Sequence, residues 1–138
     1  MDRWPCPECG REFDRPGRGH LCVPGCTVEE TFAGRPPGQR AAYEEVLRFL
    51  RTLGDVYADV VRVGVFLKSR RTLAELRPMS RWLALYLVLP RRLGHPRVTR
   101  VLRMSADRTA NVVRLTGPSD VDDELRGWLA EAYLYASD

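Results

Sequence analysis

The chain has 138 residues, of which 44% are apolar and 29% charged, the size and composition of one ordinary folded domain with a hydrophobic core, which excludes a disordered or low-complexity chain. Its longest apolar run, Trp82 to Pro90, is too short to span a bilayer, and the first residues are charged and cysteine-bearing instead of forming a signal-peptide h-region; no membrane partner and a cytoplasmic setting are therefore expected. The net charge of +4 conceals a regional basicity: residues 62 to 103 hold ten Arg and one Lys against the single acid Glu75.

The first element is the segment "CPECGREFDRPGRGHLCVPGC", which contains all four cysteines and His20. Cys6 and Cys9 are separated by two residues, with Pro7 and Gly10 shaping a tight turn that brings two thiolates to one edge of a metal ion. His20 with Cys22 or Cys26 supplies the opposite edge, after a ten-residue loop. Thiolate and imidazole donors in a tetrahedral set suit Zn2+, and clustered cysteines in a reducing compartment are metal ligands more often than disulfides. Spacing alone favours Cys26 over Cys22 as the fourth ligand, because five residues then separate the second pair. Four protein donors leave no open coordination position, so the expected role is structural. A finger-like unit over residues 1–30 is too small to fold on apolar burial and would take most of its folding free energy from the metal.

Residues 31–40, "TFAGRPPGQR", read as a linker, and 41–138 as the main domain. A helix follows the prolines, with Tyr43, Val46, Leu47, Leu50 and Leu53 at helical spacing and Gly54 as its stop. From Asp55 the period changes to that of strands, expected near 56–62, 64–68, 72–77 and 82–89. "RWLALYLVLP" is apolar on both faces and reads as a central strand, and "RVTRVLRM" and "NVVRLT" add two more. The chain closes with a helix that Ser119 or Asp120 would cap, its apolar face made of Val121, Leu125, Trp128, Leu129 and Ala132. The fold class is α+β: an antiparallel sheet of about five to six strands with an N-terminal and a C-terminal helix on one face, plus the zinc-finger-like segment.

The function must come from the basic region or from the finger. Lys68, Arg70 and Arg71 fall in one expected turn, Arg77 and Arg81 around the next, and Arg91, Arg92 and Arg97 after the central strand. Arg presents a planar fork that matches phosphate, so this set is the candidate anion-binding face for DNA or RNA. The opposing explanation is a solvated arginine surface paired with acidic helices, and Arg100 and Arg103 interleaved with Val101 and Leu102 fit an edge strand. Trp82, Tyr86 and Phe66 are available for stacking, although strand aromatics are more often core. No nucleophile, base and orienting acid assemble, no catalytic residue is assigned, and Glu75 is most simply a partner for Arg77 or Arg71. The reading leans away from an enzyme, toward a zinc-binding protein whose basic domain holds nucleic acid or another polyanion. The alternative is a protein-binding or small-molecule module in which some of Lys68, Arg70, Arg77, Arg81 and Arg97 grip an anionic group in a pocket.

"WPCPECGREF…GHLC", "VFLKSRRTLAELRPMSRWLALYLVLPRRLGHPRVTR" and "DVDDELRGWLAEAYLYA" together resemble bacterial proteins of domain-of-unknown-function family 5655 that carry a short zinc-finger-like N-terminus. The resemblance implies an α+β domain without an established activity. It also implies a His-x-Cys ending, His20 to Cys22, which reverses the spacing preference and makes Cys6, Cys9, His20 and Cys22 the expected ligand set. The domain also resembles segments attached to proteins classed as nucleases, which favours nucleic acid by association only.

Overall fold

The computed structural model describes residues 27–138 and, at the level of the backbone, the paired two-residue strands β1 (Trp4–Pro5) and β2 (Glu12–Phe13). The predicted zinc donors Cys6, Cys9, His20, Cys22 and Cys26 lie outside the described residues.

Helix α1 (Val28–Phe32) begins where Thr27 accepts the Glu30 N–H at 3.1 Å, and α2 (Pro37–Leu53) begins with proline in its first turn. Phe32 is buried and its ring meets Tyr43 at 5.4 Å. The stretch expected to be a linker therefore contains the end of α1, a core residue and the first turn of α2. The apolar stripe of α2 is as expected at Tyr43, Val46 and Leu50, but Leu53 at its end is 40% exposed, and the buried face starts earlier, with Gln39 and Ala42. Gln39 is fully buried and donates to the carbonyl of Met79 at 2.7 Å, which fixes the helix entry against the sheet.

Strands β3 (Tyr57–Val61), β4 (Gly64–Lys68), β5 (Thr72–Pro78) and β6 (Leu83–Leu89) follow as consecutive antiparallel hairpins. Strands β7 (Val98–Ser105) and β8 (Arg108–Leu115) complete a six-stranded antiparallel sheet of order β3-β4-β5-β6-β8-β7. β8 inserts between β6 and β7, leaving the arginine-rich β7 at the edge, where charged alternation is tolerated and deters further pairing. β6 is interior, and six of its seven residues are buried, which matches its apolar character on both faces.

The chain ends in α3 (Asp123–Ser137). Its cap is Asp122, which accepts the Leu125 N–H at 3.0 Å, and not Ser119 or Asp120, which lie in a preceding 3-10 turn (Pro118–Asp120). Asp120 instead accepts from the N–H and hydroxyl of Thr116, at 2.7 and 2.9 Å, closing the turn after β8. Leu125, Leu129 and Ala132 are fully buried, with Val121 contributing from just before the helix.

The period of the strands divides their side chains into two sets. Leu67, Leu76, Leu85, Leu87, Val113 and their neighbours join Val46 and Leu50 of α2 and Leu125 and Leu129 of α3 in one core. Each fully buried leucine there contributes about 2 kcal/mol on leaving water. Both long helices thus cover one face of the sheet, as expected. Ala84, Val88, Ala110 and Val112 are buried too, yet stand outside that cluster, because they belong to the opposite face. Among the described residues, no helix is long and apolar enough to cross a membrane.

Candidate functional site

The opposite face is where the chemistry collects. The strand register places one residue from each strand in a single row across the sheet: Asp59, Phe66, Glu75, Tyr86, Val112 and Arg100. Adjacent strands lie about 4.8 Å apart, so Phe66 and Tyr86 flank Glu75 at about 10 Å from each other, with Arg100 about 10 Å beyond Tyr86. Trp82 and Arg114 belong to the same face by parity, on either side of Ala84. The three aromatics named as stacking candidates therefore stand together on the strand face that the helices leave open.

A cavity of about 300 Å³ opens along this row, its walls made by Phe66, Tyr86, Arg77, Glu75, Arg100 and Leu102. Val88 and Ala110 give it a buried apolar floor. The Arg77 guanidinium is ion-paired to Glu75 and lies over the Tyr86 ring, 5.4 Å from its centroid. The hydrogen bond that Arg77 donates to Glu75 raises the Arg77 pKa above its ordinary value, against an opposing push from burial. Arg114 stacks on Trp82 at 3.9 Å, a cation–π distance. Lys68 donates to Asp59 at 2.8 Å, its stem beside Phe66. Arg100 is exposed and has no carboxylate partner among the described residues.

The eight predicted anion-binding residues are distributed over several places. Lys68 and Arg77 are on the open face. Arg70 and Arg81 are exposed in turns at opposite ends of the sheet, as antiparallel hairpins require. Arg71, Arg91 and Arg97 hold α3 instead. Arg71 donates to the carbonyl of Tyr135 and lies 4.7 Å from that residue's ring, supplying a positive charge to a helix C-terminus that has no basic residue in its own last turn. Arg91 makes two hydrogen bonds of 2.8 Å to the Glu131 carboxylate. Arg97 reaches Asp122 at 2.9 Å and the Asp120 carbonyl at 2.9 Å, and its guanidinium lies 5.9 Å from the Trp128 ring. Arg92 is exposed in the connection between β6 and β7.

These pairs set the protonation of their partners. The Leu125 N–H first, and the Arg97 guanidinium after it, hold the Asp122 carboxyl below its ordinary value, and the Arg91 hydrogen bond does the same for Glu131. His95 is half-buried, its ring edge-on to Trp128 at 5.1 Å. Its Nδ1 accepts the backbone N–H of Arg97 at 3.1 Å and its Nε2 donates to Glu124 at 2.9 Å, so both ring nitrogens have partners.

Arg100 and Arg114 are the site residues that sequence reasoning left out of the anion-binding set. Their signal was present in "RVTRVLRM" and "NVVRLT": Arg114 stands between Val113 and Leu115 of the core, and Arg100 two positions from Val98, across a shift of register.

Residues 28–136 match the protein family described as Domain of unknown function (DUF5655). The chain belongs to that family. The match spans α1 to α3, and therefore the whole six-stranded sheet of this DUF5655 domain with both faces. Neither a curated protein nor a solved structure matches the chain.

Proposed function

We propose that this DUF5655 protein binds single-stranded nucleic acid on the open face of its sheet. The observation that carries the reading is the gathering of Phe66, Tyr86 and Trp82 with Arg77, Arg100 and Arg114 on one strand face. A broad strand surface of this kind suits unpaired bases, which stack on aromatic rings, while guanidinium groups beside the rings take the phosphates. The strand requirement follows from access, because rings lying on a sheet reach base faces only when those faces are not already stacked in a duplex. The remaining arginines with structural partners, Arg71, Arg91 and Arg97, are assigned to holding α3.

Titration of a short fluorescent single-stranded oligonucleotide by anisotropy tests this. With about two phosphates neutralised by Arg100 and Arg114, log affinity should fall against log salt with a slope of about −1.4. Binding that ignores salt, or no binding at low salt, would remove the reading. The cavity supports a second reading, a small anionic molecule held by Arg77 and Arg100, since about 300 Å³ is at the lower end of ligand pockets. Such a ligand would raise the melting temperature at micromolar concentration with little dependence on salt.

The N-terminal segment is proposed as a structural zinc site of Cys6, Cys9, His20 and Cys22. The donor chemistry fits zinc, two thiolates at CxxC spacing facing an imidazole and a third thiolate. The cytoplasm is the compartment that suits such thiols.

A further inference from the structure

The cavity contains one feature that phosphate binding does not explain. Glu75 is the acidic side chain among its lining residues, and it sits in the row directly between Phe66 and Tyr86. A carboxylate weakens a site for phosphate alone, so its placement between two stacking rings asks for a ligand that brings hydrogen-bond donors as well as negative charge. Glu75 and Arg77 are two residues apart on β5 and point to the same face, with the Arg77 Nε donating to one Glu75 oxygen, Oε2. Side by side they present an acceptor edge followed by a donor edge.

We infer that this pair reads guanine. Because the Arg77 guanidinium lies over the Tyr86 ring, the base stacks on Phe66, one strand from Glu75, and turns its Watson–Crick edge toward the Glu75–Arg77 pair. Guanine offers two adjacent donors on that edge, N1–H and the 2-amino group, which match the two oxygens of a carboxylate, and then the O6 acceptor, which matches a guanidinium N–H. Adenine and cytosine set a ring nitrogen acceptor beside a single amino group, so one Glu75 oxygen would face a lone pair. Uracil places its N3–H between two carbonyls. Arg100, two strands from Tyr86, carries no carboxylate partner among the described residues and takes the phosphate. This inference rests on the proposed strand-binding face, and it adds to it a base preference with named readers.

Calorimetric titration of the full-length protein with GMP, IMP, AMP, CMP and UMP tests it without any variant. GMP should bind about ten-fold or more tightly than AMP, CMP or UMP, the discrimination that one bidentate pair supplies. IMP, which keeps N1–H and O6 but lacks the 2-amino group, should fall between. Glu75→Gln replaces one acceptor by a donor and should remove most of the GMP preference, read as the ratio of GMP to AMP affinity within the variant. Equal affinity for the five nucleotides, with the oligonucleotide still bound, would overturn the guanine assignment, leave the stacking face standing and reduce Glu75 to the ion-pair partner of Arg77. Failure of every nucleotide and every oligonucleotide to bind would overturn both.

Discussion

Replacing Asn111 by leucine isolates the latch that holds the β6–β7 connection. Asn111 is fully buried on β8, where it pairs with Leu87 on one side and Val101 on the other. Its Oδ1 accepts the Leu93 N–H at 2.8 Å, and its Nδ2 donates to the carbonyls of Arg91 at 3.1 Å and Thr109 at 3.4 Å. β6 and β7 both run antiparallel to β8, so the chain between them must cross the face of the sheet over β8, and this side chain fastens it there. Leucine has a similar volume, so no large cavity opens, but the N–H of the buried Leu93 loses its partner. An unpaired buried donor costs about 1–3 kcal/mol, whereas the carbonyl of the exposed Arg91 recovers water. The net loss should be about 2 kcal/mol, which at an m value of about 2 kcal/mol/M lowers the urea midpoint by about 1 M with m unchanged. Hydrogen exchange at the Leu93 amide should accelerate in the variant. An unaltered midpoint together with unaltered protection of that amide would show that the connection is held by other contacts.

Gly64→Ala should destabilise the protein by about 1–3 kcal/mol in the same assay, because the new Cβ would stand 2.2 Å from the Leu76 carbonyl oxygen on the neighbouring strand, and backbone cannot turn aside. Asp122→Ala should cost about 1–2 kcal/mol through loss of the α3 cap, and Asp122→Asn much less, since the amide oxygen still accepts the Leu125 N–H. Folded Asp122 and Glu131 titrate below their ordinary values, so the unfolded chain binds protons first on acidification. Their contribution should be complete above about pH 5 and decline as the pH drops through about 4 toward the lower folded values, and Arg91→Leu should flatten the Glu131 part of that decline in a thermal-melt series. Elemental analysis should find about one zinc per chain, lost in Cys6→Ser and Cys22→Ser and kept in Cys26→Ser; the reverse result for the last two would move the fourth ligand to Cys26.

Five of the six strands were legible within a residue or two, while β8 begins three residues before "NVVRLT", and β6 announced its interior place by having no polar face. The cap of α3 was not, since Ser119, Asp120 and Asp122 are all capable residues and only the Thr116 contact of Asp120 decides among them. Phe32 hid in a Gly- and Pro-rich stretch whose composition says linker, although its ring packs on Tyr43. The roles of the arginines were the least readable. Arg91 and Arg97 find carboxylates 40 and 25 residues away, and no spacing rule reaches that far. Phe66, Trp82 and Tyr86 had the parity of a second face from the start, each out of phase with the leucines around it; what the sequence lacked was the knowledge that helices α2 and α3 both cover the leucine side. With that one fact, Arg100 and Arg114 join them.

The central claim, that the strand face and not the helix face receives the ligand, is tested most directly by amide chemical-shift mapping of the full-length protein during titration with a short single-stranded oligonucleotide. The expected perturbations follow the row at Phe66, Glu75, Tyr86, Val112 and Arg100, with Arg114 beside it, and leave α3 unchanged. Perturbations confined to Arg91, Arg92, Arg97 and α3, with that row unmoved, would contradict the account.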